Sequence, residues 1–259
     1  MRVSFVVVAV FCAALAPSGA LGQTCPASLQ SASRFVLVTV PAFGSSSGTM
    51  RLFERPLSGS AWRSVGTAEP VMLGSKGVAW GRGFHHLAGR GEPVKIEGDR
   101  RTPAGIFGVG APFGFASSSL ANYVQLQPES VCVEDPSSPA YNTIASGDAV
   151  GRVNRKENMR QIPLYRRGLM VEYPTDAANK AGSCIFMHIW RNSSSGTHGC
   201  VVMPEERVAA LQRFANQRST AVAVLPEAAL GRFAGCLPKQ IEEPRSTMNA
   251  PAAKPPETR

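Results

Sequence analysis

Between His188 and Cys200 the chain reads His-Ile-Trp-Arg-Asn-Ser-Ser-Ser-Gly-Thr-His-Gly-Cys, so 13 residues carry two imidazoles and a thiol. A cysteine becomes an effective nucleophile when a nearby base or cation lowers its pKa, and its thiolate then attacks a carbonyl carbon to give a thioester. In that chemistry Cys200 is the nucleophile and His188 the base that takes its proton. His198 is either a supporting imidazole or a structural hydrogen-bonding group. Gly199 permits a tight turn that aims backbone N–H groups at a developing oxyanion. Thr197 and Gly199 are therefore the expected oxyanion or substrate-binding positions. Two other chemistries use the same residues. A disulfide to Cys200 would abolish catalysis, and His188, His198 and Cys200 are all of zinc-ligand type. No fourth ligand or carboxylate lies nearby in the sequence, so neither a metal nor a cofactor is expected.

The element that must deliver His188 is the run from Cys184 to Trp190, the strongest strand candidate in the chain. Extended backbone alternates its side chains, which puts Cys184, Phe186, His188 and Trp190 on one face and Ile185, Met187 and Ile189 on the other. The aliphatic face belongs in a core. His188 and Trp190 then face a cleft, with the Trp190 indole as a platform for substrate.

Around that strand, short β-type runs separated by Gly and Ser turns occupy residues 34–110: 35–40, 49–54, 61–65, 71–73 and 94–96. Residues 111–168 read as loops with one short helix near 155–160. A strand over 169–173, a helix over 204–216 opened by Pro204, Glu205 and Glu206, and a closing strand over 220–225 complete the pattern. The expected class is mainly β, a β-sandwich or mixed sheet with a few short helices and a single catalytic domain.

Arg2, an apolar run from Val3 to Ala16 and the small residues that follow form an expected signal peptide at 1–22. The remainder divides into an N-terminal linker at 23–33, the domain at 34–236 and a Pro-rich disordered tail at 237–259. No later apolar run is long enough for a transmembrane anchor. The formal charge of +9 suits anionic envelope polymers or simple solubility, and no nucleic-acid-binding pattern accompanies it. With Cys12 in the signal peptide, Cys25, Cys132, Cys184, Cys200 and Cys236 remain, an odd number. In an oxidising compartment two pairs form and one thiol stays free. Sequence leaves three pairings of any four cysteines open. Cys25 and Cys236 lie near the two ends of the domain, which favours their pairing and that of Cys132 with Cys184.

The histidine strand followed by Thr197-His198-Gly199-Cys200 resembles the L,D-transpeptidases with a YkuD-type catalytic domain. The upstream run Glu97-Gly98-Asp99-Arg100-Arg101-Thr102-Pro103-Ala104-Gly105-Ile106-Phe107 is similar to that family's Gly-Asp-x-x-Thr-Pro-x-Gly-x-Phe segment. The resemblance extends over about Arg34 to Leu225. It implies a YkuD-like fold and an exported, periplasmic enzyme acting on peptidoglycan stem peptides. Cys200 would attack the amide before the terminal D-Ala of a tetrapeptide, release D-Ala and pass the acyl group to an amine. Acylation by carbapenems is implied as well. A peptide hydrolase on the same fold and a non-catalytic wall-binding module are the alternatives. One departure stands out. Many members carry Arg two residues after the cysteine, where this chain has Val202; Arg191, His85 or His86 are the substitutes the sequence offers. Asp99 and Thr102 are expected to shape a turn that can also line the cleft.

Overall fold

β1 (Arg34–Val40) is buried along almost its whole length because it has a neighbour on each side. It pairs antiparallel with β2 (Ser47–Glu54) and parallel with the last strand, so its apolar run faces core on both sides, as interior strands do. β2 continues into β3 (Arg63–Met72), a single strand that joins the two expected runs 61–65 and 71–73. The following strands are β4 (Val78–Trp80), β5 (Thr102–Gly114), β6 (Val124–Gln125), β7 (Ser130–Val133), β8 (Ile144–Ser146), β9 (Lys156–Asn158), β10 (Arg167–Glu172), β11 (Phe186–Ile189), β12 (Val201–Met203) and β13 (Thr220–Pro226). Among the described residues three α-helices accompany them: α1 (Ala27–Ser31), α2 (Gly147–Val150) and α3 (Glu205–Ala215). This computed structural model describes residues 25–176 and 178–239; the expected signal peptide, and the expected tail beyond 239, lie outside the described residues.

The pairings run β1–β2–β3–β12–β11–β10–β5–β13 and return to β1, so eight strands close on themselves. β4 and β6 attach in parallel to the two ends of β5. A second sheet of three strands, β8–β7–β9, stands apart. The fold is thus mainly β and mixed in strand direction, with few short helices in one domain. Its main core gathers Phe35, Leu37, Trp80, Leu169, Met187 and Leu225 with residues of α1 and α3. A smaller cluster lies between the outer face of β11 and β12 and the three-stranded sheet, built on Phe113, Met159, Tyr165 and Phe186.

Several expectations change here. Residues 155–160 form β9 and a single 3-10 turn (Met159–Gln161) rather than a helix, because Lys156–Asn158 pair with β7. Residues 94–96 supply only an isolated bridge from Val94 to Trp80, and Ile96 is exposed. The strand at 184–190 shortens to β11, since Cys184 adopts a left-handed φ of 54° just before it. α1 lies within the stretch expected to be a linker; it buries Leu29, and Cys25 beside it bridges to Cys236. Leu237 is likewise buried in the core. α3 begins and ends as its sequence suggests. Its buried Gln212 donates to the Phe113 and Gly168 carbonyls at 3.0 and 2.8 Å, tying β5 to β10.

Candidate active site

Cys200 closes the turn that leads into β12. Thr197 organises that turn: its backbone N–H donates to Leu73 C=O at 2.8 Å and its own carbonyl accepts from Ser75 N–H at 2.8 Å. The Thr197 hydroxyl donates to the Cys200 carbonyl at 2.7 Å and accepts from Gly199 N–H at 3.0 Å. Thr197 is therefore a turn-forming residue, and the Gly199 amide is committed within the turn rather than open to an oxyanion. Gly199 itself has φ of +155°, and a Cβ there would lie 3.1 Å from the Ile185 side chain and 3.2 Å from Arg101 C=O, so no larger residue fits without displacement.

That last contact joins the two sequence motifs. Asp99 accepts from Arg101 N–H and Ile96 N–H at 2.9 and 3.0 Å and from Lys95 Nζ at 2.6 Å, which fixes the tight turn before β5. The buried Thr102 hydroxyl accepts from Gly74 N–H at 2.8 Å, and Gly74 bridges to Thr197. The upstream motif thus braces the cysteine turn through the β3–β4 connection.

The five cysteines resolve as Cys25–Cys236, Cys132–Cys184 and a free Cys200. The Cys200 thiol is 8% exposed and donates to Cys184 C=O at 3.4 Å. It lines a cavity of about 250 Å³ together with His198, Glu134, Glu157, Arg100 and Arg155. A roomier cavity of about 710 Å³ lies against the Cys25–Cys236 bridge; it contains no free thiol or imidazole, so chemistry assigns the site to the smaller one. Among the described residues no group of three or more His, Cys, Asp or Glu is arranged to hold a metal ion.

His188 lies on β11, in register with Val202 on the parallel β12. The alternation along this strand holds: Ile185, Met187 and Ile189 pack on the main core, while Phe186 and Trp190 pack in the smaller cluster with Cys200. That face is covered, however, and does not open on a cleft. His188 is 6% exposed, its ring edge-on to Tyr165 with centroids 4.9 Å apart, and Trp190 is half-buried. Neither lines the cavity. His188 Nδ1–H donates to Ile189 C=O at 2.8 Å, and the Leu164 backbone is a second hydrogen-bond partner of the ring. Continuing the register of β11 and β12 places Cys200 about two residues from His188 along adjacent strands, roughly 8 Å between Cα atoms. The sulfur's hydrogen bond goes to the Cys184 carbonyl rather than to the imidazole.

Burial sets the resting charges. It pushes His188 down to about 4 and the Cys200 thiol well up, with Glu157 and Glu134 adding to the latter and Phe186 and Lys95 opposing it. The pair is therefore neutral at rest. Half-buried Glu157 is pushed up to about 7 by loss of solvent, partly offset by the Tyr165 hydroxyl that donates to it at 2.6 Å.

Sequence reasoning did not find Glu134, Glu157, Tyr165 or the cavity cations. Glu134, Glu157, Arg155 and Tyr165 come from the stretch read as loops: the pairing of β7 with β9 carries the first three towards Cys200, and the 3-10 turn Pro163–Arg166 carries Tyr165, whereas Arg100 comes from the upstream motif. Val202, at the position expected for Arg in the related motif, is buried. Arg191 and the His85-His86 pair do not reach the cavity; Arg100 and Arg155 line it instead.

Residues 65–224 match the family model of the YkuD L,D-transpeptidase catalytic domain. Among solved structures, the helical cell shape determining protein Pgp2 of Campylobacter jejuni shares 16% identity over 76% of this chain and 50% of its own, with a TM-score of 0.36. Bd1075 of Bdellovibrio bacteriovorus shares 17% over 74% of this chain and 48% of its own, with a TM-score of 0.38. The chain spans about half the length of these structures. No curated protein matches it.

Proposed function

The chain belongs to the YkuD family of L,D-transpeptidase catalytic domains, and from that premise we propose that Cys200 forms an acyl-enzyme with a peptidoglycan stem peptide. The observation that carries this reading is the free thiol: four cysteines are bridged, and the fifth stands in the turn that resembles the family's motif, at a cavity, leading into the strand that pairs with the one bearing His188. Substrate entering the cavity displaces the Cys200–Cys184 contact. His188 takes the thiol proton as Sγ bonds to the carbonyl carbon of the amide before D-Ala. The C–N bond then breaks, the leaving amine takes the proton from His188, and D-Ala departs. An incoming amine attacks the thioester, the product amide forms and the thiol is restored. Water in place of the amine gives hydrolysis from the same intermediate.

His198 is exposed at the cavity edge and serves as a substrate contact rather than as the base. With Gly199 N–H engaged, oxyanion stabilisation falls to backbone donors that the turn frees on substrate binding. Arg100 and Arg155 supply the positive charge for a stem-peptide carboxylate that Val202 lacks. Export to the periplasm accords with two disulfides and the sequence at 1–22, and no described helix is long and apolar enough to cross a membrane.

The test is covalent capture by a carbapenem, read by intact mass. A single adduct that maps to Cys200 and is lost in Cys200→Ala is the expected result. A folded, reduced protein that stays unmodified counts against the proposal.

A further inference from the structure

Glu157 is bound into the site from two directions. On β9 it stands opposite Cys132 of β7 in the antiparallel pair. Cys132 is bridged to Cys184, and the Cys184 carbonyl accepts the Cys200 thiol at 3.4 Å. From the other side the buried Tyr165 hydroxyl donates to Glu157 Oε2 at 2.6 Å, and the same ring packs edge-on against His188. Glu157 and Cys200 line one cavity. Of the three carboxylates that line this small cavity with the thiol, Glu97, Glu134 and Glu157, it is Glu157 that is also hydrogen-bonded to the ring packed against the imidazole.

We propose that Glu157 is a positioning residue whose negative charge restrains formation of the Cys200 thiolate, so that the nucleophile is released only when that charge is neutralised. Its importance for turnover rests on the reading of Cys200 as the nucleophile. Two like charges in one poorly solvated cavity disfavour each other, and the cost falls on whichever ionises second. The groups facing the thiol are Glu157 from β9, Glu134 just after β7 and Lys95 from the segment before β5, with the Phe186 backbone as a hydrogen-bond partner. The two carboxylates oppose the thiolate and Lys95 favours it; Lys95 is already bound to Asp99 at 2.6 Å, which spends much of its charge there. Arg155 is half-exposed and leans on Glu97 at 3.7 Å, and His198 and Arg100 complete the charged wall. Burial lifts Glu157 to about 7, so the restraint appears as pH rises through neutrality and is absent in acid. A proton, or a cationic group of a bound ligand, removes it.

Glu157→Gln tests this cleanly, because the amide oxygen still accepts from Tyr165 and the side chain keeps its size. The rate of Cys200 alkylation by iodoacetamide, read by intact mass on the whole chain from pH 5.5 to 9, is the measurement. Glu157→Gln is expected to react about tenfold faster at pH 8, its profile displaced about one unit towards acid, and to converge with wild type below about pH 6, where Glu157 is protonated. Glu157→Asp keeps the charge and is expected to follow wild type. Superimposable profiles for wild type and Glu157→Gln, including no reaction in either, overturn the inference, as does an Asp variant as fast as the Gln variant. Stem-peptide turnover measured on the same proteins separates the two ideas. A displaced alkylation profile without turnover in any of them leaves this inference standing and removes the proposed function.

Discussion

Burial holds Cys200 and His188 in a resting state in which both are neutral, and for His188 it outweighs the backbone hydrogen bonds that favour the protonated ring. The consequence for His188 can be measured without substrate. Its folded pKa of about 4 lies below the ordinary histidine value of 6.5, so the unfolded chain binds more protons between those limits. Stability from this residue is complete above about pH 6.5 and is lost as pH falls towards 4. Wild type should lose roughly 2–3 kcal/mol more than His188→Gln between pH 7 and pH 4.5 in urea unfolding. Equal losses in the two proteins contradict a buried neutral imidazole. The identities of both residues were legible in the sequence, since the motif spacing names them and strand alternation gives His188 its face. Their burial was not, because Tyr165 and Phe113, which cover that face, come from segments far away in the chain. Glu157 was illegible for the same reason: nothing local marks Lys156-Glu157-Asn158 as a strand, and its place opposite Cys132 exists only once β7 has formed.

At the scale of elements, β1, β2, β10, β13 and α3 could be read from their apolar periodicity, whereas β5 could not. Thr102–Gly114 is the longest strand and contains four glycines and two prolines, residues that ordinarily argue against a strand. The glycines are there because other groups come close. A Cβ at Gly105 would lie 2.4 Å from the Phe84 ring, and one at Gly114 2.3 Å from the Arg166 carbonyl. Pairing with β13 and β10 stabilises the strand despite its composition. Gly105→Ala combines that overlap with a φ of +146°. It is expected to cost about 2–4 kcal/mol and several degrees of Tm, read by thermal unfolding; a variant as stable as wild type contradicts this account of β5. The turn at Asp99, by contrast, was legible from its Gly-Asp pattern, and its bracing of the Thr197 turn explains why two distant motifs occur together.

Across the whole molecule, eight strands close around the main core, and a separate three-stranded sheet lies over the outer face that carries Cys200. The Cys132–Cys184 bridge fastens that sheet to the strand bearing His188, while Cys25–Cys236 joins the ends of the domain. Composition and cysteine count reached this far, to a mainly β, disulfide-bearing domain with one thiol to spare. The covering sheet lay beyond them, because it is built from short strands without apolar alternation. The claim on which the account turns is a covalent one, and a tetrapeptide stem tests it directly. Rapid acid quenching followed by intact mass should find a tripeptide acyl group on Cys200, formed as D-Ala is released and absent from Cys200→Ala. Release of D-Ala by Cys200→Ala at the wild-type rate would contradict the account.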